Sequence, residues 1–358
     1  MSPTKKAGIL GATGTVGQRF ILLLANHPQF VIHALGASSR SAGKTYKEAA
    51  KWKQSSPIPE HVRGIVVRPC VAEEFKDCDV VFSGLDADVA GDIEMAFLKS
   101  DLVVFSNAKN YRRDPTVPLI VPTVNTDHFT IIPHQRSLHS LRKGFLVTNA
   151  NCSTTGLVVP LKALQDAFGP FTTIVVHTMQ AISGAGYPGV PSLDIMDNVV
   201  PFISGEEEKM EWETLKILGS LDQTSTSFAP LTQTRVSATC NRVPVIDGHT
   251  ESVSLSFARR PPPSPADVTR VLAEYTCEAQ ELRCHSAPRR AIIVTEDDDR
   301  PQPRLDRDSE GGQTVTVGRV RTCNVFDIKF TLLVHNTVLG AAGSSVLNAE
   351  VAVAKELI

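Results

Sequence analysis

The chain has 358 residues, 42% hydrophobic and 21% charged, with a formal net charge of −2. These proportions are typical of a globular protein with room for about two domains, and they give no support for a nucleic-acid or membrane partner. No apolar run is long enough for a membrane span, and the first residues lack the apolar core of a signal peptide. The seven cysteines are odd in number and form no C-x-x-C pair, so we predict reduced thiols, no metal site and a cytoplasmic protein.

A glycine-rich turn follows the first apolar segment. Residues 7–10 predict a strand and residues 20–25 a helix, and the turn between them contains Gly11, Gly14 and Gly17. Glycines in such a turn let the backbone approach a pyrophosphate, which sits on the helix N-terminus. The spacing is a variant of the usual fingerprint, but its position between a strand and a helix predicts dinucleotide binding.

The second predicted strand, residues 30–36, indicates which dinucleotide is bound. NAD-specific folds carry an acidic residue at its end, whereas this chain has Ser38, Ser39, Arg40 and Ser41 there. Hydroxyl groups and a guanidinium suit a 2′-phosphate, because arginine grips phosphate oxygens with two parallel hydrogen bonds. We therefore predict that this segment binds the 2′-phosphate of NADP, and we prefer this interpretation to that of an ordinary polar loop.

Up to about residue 150, apolar runs alternate with amphipathic ones. Strands are predicted at residues 78–85 and 101–107, with a helix at 86–100 between them. This alternation predicts a doubly wound parallel sheet, in which ligands bind at the carboxyl ends of the strands. We therefore expect Ser83 and Asn107 to border the cofactor or the substrate.

Cys152 follows the next apolar run, residues 144–147, and precedes a helix predicted at residues 157–168. A thiol at a helix N-terminus faces unpaired N–H groups and the positive end of the helix dipole, both of which favour the reactive thiolate. Asn151 and the hydroxyl residues after Cys152 can orient a substrate. The alternative is a buried structural cysteine, but the dinucleotide turn favours a nucleophile, which we expect to be the first thiol alkylated.

The second half of the chain is rich in β-branched residues. Strands are predicted at residues 172–178, 251–257, 291–294, 314–317 and 326–334, followed by a closing helix at 337–358. These strands predict a large, mostly antiparallel sheet. Few helical segments are available to cover it, so we expect an uncovered apolar face that is buried against a second copy of the chain.

Three clusters of polar residues interrupt these strands. Gln180 opens a glycine-containing turn, Ser204 and Glu207 have the spacing of a capping box, and Arg242 precedes His249 by seven residues. A thiolate nucleophile needs a base, and histidine has a suitable pKa. Taken singly, each cluster is better explained by a structural role.

Taken together, the motifs resemble the aspartate-semialdehyde dehydrogenase family, and its archaeal and fungal branch more closely than the bacterial one. The resemblance runs almost end to end, through GATGTVGQRF, SSRSAGK, SNAKNYRRDPTVPL, NANCSTTGLVVPL, QAISGAGYPGV, EEEK, TCNRVPVIDGHT, RPQPRLDRD and HNTVLGAAGS. It implies a Rossmann-type α/β fold with a doubly wound parallel sheet, formed by residues 1–150 and 337–358. It also implies an α+β catalytic and dimerisation domain, residues 151–336, with a large, mostly antiparallel sheet.

The resemblance implies a role for each site residue. Cys152 is the implied nucleophile, His249 the acid/base group, and Gln180 the residue that positions the substrate or thioester. The implied substrate-binding residues are Arg112 (for phosphate), Asn151, Glu206, Lys209 and Arg242. The implied cofactor-binding residues are Gly11, Thr13, Gly14, Thr15, Val16, Gly17, Ser38, Ser39, Arg40, Ser41, Ser83, Asp86, Ser183, Gly184, Asn336 and Thr337.

The implied reaction is the NADPH-dependent reductive dephosphorylation of L-aspartyl 4-phosphate to L-aspartate 4-semialdehyde through a thioester on Cys152. It would release inorganic phosphate and serve lysine, threonine and methionine biosynthesis, in a homodimer or homotetramer. Two alternatives stay open: an N-acetyl-γ-glutamyl-phosphate reductase and a non-catalytic NADP-binding regulator. Glu206 and Arg242 suit a free amino and carboxylate group and argue against the first, while the intact Cys152 and His249 argue against the second.

Overall fold

The first sheet is parallel throughout. The computed structural model describes residues 4–358, and in this part seven strands pair in the order β3-β2-β1-β4-β5-β7-β6. Parallel pairing agrees with the doubly wound sheet expected from the alternating pattern. The strands are β1 (Lys5–Leu10), β2 (Phe30–Ala37), β3 (Arg68–Pro69), β4 (Val80–Ser83), β5 (Val103–Ser106), β6 (Leu119–Ile120) and β7 (Phe145–Asn149).

The second sheet is mixed. Six strands of the described chain pair in the order β11-β8-β12-β15-β14-β13, with parallel pairs at both ends and antiparallel pairs between them. Its strands are β8 (Phe171–Gln180), β11 (Arg235–Arg242), β12 (His249–Phe257), β13 (Ile292–Val294), β14 (Val315–Thr322) and β15 (Ile328–Val334). A short ladder joins β9 (Ser220–Leu221) and β10 (Phe228–Ala229).

The helices connect and cover the two sheets. They are α1 (Thr15–Leu24), α2 (Tyr46–Ala49), α3 (Glu60–Arg63), α4 (Ala87–Lys99), α5 (Ile132–His139), α6 (Cys152–Phe168), α7 (Ser192–Ile195), α8 (Glu206–Ile217), α9 (Pro265–Ala273), α10 (Glu278–Glu281), α11 (Pro303–Asp306) and α12 (Gly343–Ala354). Short 3₁₀ segments lie at Ala72–Phe75, Thr126–Ile131, Ile182–Ala185 and Ser309–Gly312. Across residues 4–358, none of these helices has the length and apolar character needed to cross a bilayer.

Each sheet has its own hydrophobic core. Phe20 and Phe82 pack with Val346 and Leu347 of α12, so the closing helix contributes to the core of the first sheet. Leu157 of α6 packs in a second core with side chains of the mixed sheet. The domain division into residues 1–150 with 337–358 and residues 151–336 stays a prediction.

Two helices differ from the sequence expectation. The helix predicted to start at residue 157 begins at Cys152, because the side chain of Asn151 caps it. The predicted closing helix opens with a π-helical segment, Val338–Ala342, before α12 begins. The side chain of Asn149 donates to the carbonyl of Ala341 at 2.8 Å, which satisfies a group that the broken helix leaves free.

The predicted capping box at Ser204 and Glu207 is wrong. The N-cap of α8 is Gly205, which has φ of 63° and no side-chain cap. Glycine adopts this left-handed conformation without a steric cost, so the chain turns into α8 at Gly205. Glu206 is the first residue of α8 and lies at the end of the helix that contacts the candidate site.

The face of the mixed sheet opposite its core is mostly polar, so the expectation of an apolar face is wrong. Along β12 the core-facing positions are buried, and the alternate positions on the opposite face are all serine or threonine. Neighbouring strands add Thr173, His177, Thr331 and Lys329 to this face, together with the apolar Val175, Met179 and Leu333. The apolar residues that predict β12 alternate with this face and pack in the core, so they do not determine what the other face carries.

Candidate active site

Cys152 lies at the first turn of α6, beside His249. Its Sγ is 3.2 Å from Nε2 of His249 at the start of β12. The Asn151 side chain accepts hydrogen bonds from the backbone amides of Ser153 and Thr154, at 3.0 and 3.1 Å. The structure therefore brings together the predicted nucleophile and acid/base group, 97 residues apart in sequence.

A backbone amide defines the tautomer of His249. The N–H of Ala181 donates to Nδ1 of the ring at 3.0 Å, so Nδ1 acts as an acceptor. In a neutral imidazole the other nitrogen then carries the proton, and this nitrogen, Nε2, faces Cys152. His249 thus presents a proton to the sulfur of Cys152.

Burial determines the ionisation of the pair. Desolvation, reinforced by the charge of Glu206, raises the pKa of Cys152 to about 12. Desolvation also lowers the pKa of His249 to about 3. In the ligand-free site a neutral thiol therefore faces a neutral imidazole, and burial outweighs the helix N-terminus that the sequence argument emphasised.

The pKa of the Cys323 thiol is lowered, whereas that of Cys152 is raised. Hydrogen bonds from the backbone amides of Phe326 and Val325 lower the pKa of this accessible thiol. The thiolate fraction at neutral pH is therefore larger at Cys323 than at Cys152. The expectation that Cys152 is alkylated first does not agree with this geometry.

Three strand ends place polar side chains beside the cysteine. Arg242 at the end of β11 pairs in register with Gln180 at the end of β8, and His249 begins the next strand, β12. Arg242 donates from Nη1 to the carbonyl of Ala181 at 2.8 Å. Gln180 is buried and donates to the hydroxyl of Thr178 at 3.3 Å. Gln180 and Arg242 are thus positioned by the sheet itself.

The first turn of α8 supplies a carboxylate and an ammonium group. Glu206 accepts from the Asn151 side-chain amide at 2.7 Å, and its other oxygen pairs with Nζ of Lys209 at 3.0 Å. Burial opposes ionisation of Glu206, but Lys209 and Asn151 hold its pKa below the ordinary value. Glu206 is therefore a carboxylate at neutral pH. It contacts the start of α6 through the side chain of Asn151, the N-cap residue of that helix.

Arg112 is buried against the same helix. It is 7% exposed, and its Nη1 lies 2.8 Å from Oε1 of Glu213, a residue with no exposed surface. Nη2 donates to the carbonyl of Asn107 at 3.0 Å, while Nε has no hydrogen-bond partner among the described residues. An unpaired guanidinium N–H is a suitable donor for an anion such as phosphate.

The glycine turn fits a dinucleotide pyrophosphate. Gly11 has φ of 68°, and a β-carbon on Gly17 would lie 2.2 Å from the carbonyl oxygen of Gly11. Gly14 is the N-cap of α1 and is exposed, so the amides that start this helix are open to a ligand. Thr13, Thr15 and Val16, the remaining predicted residues of this turn, are partly buried around it.

The other predicted cofactor residues lie on several loops. Ser38, Ser39 and Arg40 are exposed directly after β2, and Ser41 is partly buried. Asp86 is the exposed N-cap of α4, whereas the hydroxyl of Ser83 is buried without a hydrogen-bond partner among residues 4–358. Asn336 donates to Ser183 at 2.8 Å, with Gly184 and Thr337 next to them in the chain.

Some residues of the site carry no catalytic motif. Glu213 follows Glu206 by seven residues, and this spacing on one helix face was a signal that the sequence analysis missed. The backbone amide of Ala181 has no sequence signal at all. Gly340 is also required, because a β-carbon there would lie 2.9 Å from Cβ of Cys152.

A doubly wound sheet with a glycine-rich turn, joined to a site where a cysteine contacts a histidine, is the arrangement of a dinucleotide-dependent oxidoreductase. Family models for the semialdehyde dehydrogenase NAD-binding domain and the semialdehyde dehydrogenase dimerisation domain match residues 6–132 and 161–339. The chain belongs to the aspartate-semialdehyde dehydrogenase family.

Relatives across the full length support this assignment. The chain is 64% identical to the aspartate-semialdehyde dehydrogenase of Cryptococcus neoformans and 62% identical to that of Schizosaccharomyces pombe, with 99% of each chain covered in both cases. The crystal structure of the Candida albicans enzyme with NADP superposes with a TM-score of 0.93 at 56% identity, covering 99% of this chain and 100% of that one. These relatives support the dehydrogenase assignment and neither of the two alternatives.

Proposed function

We propose that the chain reduces L-aspartyl 4-phosphate to L-aspartate 4-semialdehyde with NADPH and releases inorganic phosphate. The observation that carries the proposal is the 3.2 Å contact between Cys152 and His249 at the N-terminus of α6. A thiol in this position can attack the acyl-phosphate carbonyl, and covalent catalysis divides the reduction into two easier steps. When bound, the nicotinamide would supply the hydride that reduces the thioester.

The chain's own residues then act on the sulfur and on the carbonyl oxygen. The thiol of Cys152 attacks the acyl carbon, and the phosphate departs with the thiol proton as the thioester forms. After reduction the adduct collapses to the aldehyde and a thiolate, and a proton from solvent, delivered through His249, restores the thiol. His249, with its Nε2 proton facing the sulfur, is the proposed acid/base group. The backbone amides of Ser153 and Thr154 already donate to Asn151, so the amide of Cys152 itself is the proposed donor to the oxyanion, fixed in place before the reaction begins.

Each charged group of the substrate is assigned to side chains of the opposite charge. We assign the phosphate to Arg112 and Lys209, and the amino and carboxylate groups to Glu206 and Arg242. Glu206 is ionised and Arg242 carries a planar guanidinium, so together they match a free amino acid. An N-acetylated substrate has no ammonium group for Glu206.

The cofactor residues are assigned on similar grounds. Gly11 to Gly17 would hold the pyrophosphate at the start of α1, and Ser38 to Ser41 the 2′-phosphate. Asn336, Thr337, Ser183 and Gly184 would lie by the nicotinamide. The Candida albicans structure, which contains NADP, supports this choice of cofactor.

A single assay tests the proposed function. We expect NADPH formation from L-aspartate 4-semialdehyde and NADP only when inorganic phosphate is present. The same assay with N-acetyl-L-glutamate 5-semialdehyde serves as the comparison and should give little product. Equal rates with the two aldehydes, or a rate independent of phosphate, would refute the assignment.

We further propose a homodimer, or a homotetramer built from it, in the cytoplasm. The family model that matches residues 161–339 describes a dimerisation domain. The mostly polar face of the mixed sheet, opposite its core, is our candidate for the interface. A fully active particle of about 38.7 kDa in light scattering would contradict this proposal.

A further inference from the structure

Two carboxylates on one face of α8 both hold Asn151, the residue that caps the nucleophile's helix. Glu206 and Glu213 are two helical turns apart. Glu206 accepts from the Asn151 side chain at 2.7 Å, and Glu213 accepts from its backbone amide at 2.6 Å. Asn151 is thereby fixed through both its side chain and its main chain.

The second oxygen of each carboxylate holds a cation. Glu206 pairs with Lys209 at 3.0 Å, and Glu213 pairs with Arg112 at 2.8 Å. Glu213 has no exposed surface, so water screens its charge very little. The single carboxylate of Glu213 therefore joins the buried guanidinium of Arg112 to the backbone amide of Asn151, the residue before Cys152.

The loop that carries Arg112 is also held by α8. Lys216, three residues after Glu213, donates from Nζ to the carbonyls of Arg112, Asp114 and Val117 at 2.7, 3.0 and 3.1 Å. Since Arg112 also donates to the carbonyl of Asn107, its backbone and both terminal nitrogens are occupied. Only Nε is left without a partner in the described structure.

We propose that Glu213 is a positioning residue for the phosphate half of the site. It places the guanidinium of Arg112 at a fixed position relative to Cys152, so that the phosphate and the acyl carbon of one substrate meet their partners together. This inference rests on the proposed function, because it assumes that Arg112 receives phosphate. It extends that function to a residue that does not itself touch the substrate.

The chemistry of Glu213 predicts which substitutions fail. In Glu213→Gln the amide oxygen can still accept from Asn151, but the amide N–H₂ faces the donors of Arg112. Glu213→Asp keeps the charge but is one methylene shorter, so it cannot reach both partners. Both variants should release Arg112, by different routes.

The test is the phosphate-dependent oxidation of L-aspartate 4-semialdehyde by the full-length protein. Glu213→Gln should raise the KM for inorganic phosphate by about tenfold, the effect expected when one charge-assisted hydrogen bond is lost. The KM for the aldehyde should change much less. Glu208→Gln is the matched control, because Glu208 lies on the same helix and pairs with Arg113 at the surface. It should leave both constants unchanged.

A double-mutant cycle shows whether Glu213 acts through Arg112. Arg112→Ala alone should raise the phosphate KM, and adding Glu213→Gln should raise it little further, because the two residues share one interaction. Additive effects, or equal increases in the phosphate and aldehyde constants, would overturn the proposal. If Glu213→Gln does not fold, Glu213→Asp with an unchanged phosphate KM would overturn it. A wild-type protein without phosphate-dependent activity would refute the proposed function instead.

Discussion

The absence of a side chain at Gly184 leaves room for the imidazole ring of His249. A β-carbon on Gly184 would lie 3.3 Å from Nε2 of His249, the nitrogen that faces Cys152, and 2.9 Å from Nη1 of Arg242. Both neighbours belong to the candidate site and are held by other contacts. The absence of a side chain at residue 184 therefore matters for the position of the acid/base group, beyond any contact with a cofactor.

We predict that Gly184→Ala lowers kcat by about tenfold or more, because displacement of a catalytic group by a fraction of an ångström reduces the rate steeply. Gly184 is exposed and its backbone suits alanine, so the melting temperature should change little. Gly64→Ala is the matched control, since a β-carbon there meets no atom within 4 Å. Wild-type kcat in Gly184→Ala would show that His249 tolerates the added methyl group.

Cys152→Ser should abolish turnover and leave NADPH affinity nearly unchanged, because the glycine turn belongs to a different element. Fluorescence titration with NADPH measures the affinity, and phosphate-dependent NADPH formation from L-aspartate 4-semialdehyde measures turnover. A substantial loss of NADPH affinity would mean that the thiol contributes to the cofactor site.

Inactivation by iodoacetamide should follow the raised pKa of Cys152. The rate should keep increasing with pH from 7 to beyond 9, since the thiolate fraction grows until the pH reaches the pKa of about 12. Cys323 should be labelled faster without loss of activity, and Cys323→Ser should be inactivated at the wild-type rate. A plateau in the inactivation rate near pH 7 would contradict the neutral thiol inferred for the ligand-free site.

The local parts of the site could be predicted from sequence. Gly11 to Gly17 and Asn151 with Cys152 are contiguous, and their chemistry depends on a turn and a helix start that neighbouring residues encode. The pairing of Arg112 with Glu213 joins residues 101 positions apart, and it exists only because α8 packs beside β6 and α6. The polar face of the mixed sheet was mispredicted because the apolar residues that signal each strand lie on the core face and leave the residues of the other face undetermined.

The ionisation of the catalytic pair could not be predicted either. The helix N-terminus at Cys152 was visible in the sequence, and it favours the thiolate. Gly340 and His249, which contact Cys152 from distant parts of the chain, contribute to the burial that opposes it, and the charge of Glu206 adds to the effect. A pKa is determined by the balance of such effects, and only the three-dimensional structure contains all of them.

Arg40→Ala should weaken NADP binding much more than NAD binding, because only NADP carries the 2′-phosphate. A guanidinium–phosphate contact of this kind predicts a selective loss of about tenfold or more. Isothermal titration with both cofactors measures it, with Arg259→Ala as a control at another exposed arginine. Equal losses for NADP and NAD would place Arg40 away from the phosphate.

Glu251 is a buried carboxyl group behind the site. It has no exposed surface, and neither of its oxygens has a hydrogen-bond partner among the described residues. Burial, with a further contribution from the charge of Glu206, raises its pKa well above the ordinary value of 4.5. The folded protein therefore keeps this group protonated at pH values where the unfolded chain has already lost the proton.

This difference fixes the sign of a pH effect on stability. Above about pH 4.5 the native state binds more protons at Glu251 than the unfolded state, so its contribution to stability falls as the pH rises. Glu251→Gln, which is neutral at every pH, should remove that loss. Its unfolding free energy relative to wild type should rise from pH 5 to pH 7 by up to about 1.4 kcal/mol per pH unit.

Chemical denaturation at pH 5, 6, 7 and 8 measures the difference between the two proteins. Glu281→Gln is the control for the same replacement at an exposed glutamate. A constant difference between Glu251→Gln and wild type would mean that Glu251 ionises in the folded protein as it does in the unfolded chain. In that case the buried carboxylate would need a partner, such as an ordered water molecule, beyond the protein groups around it.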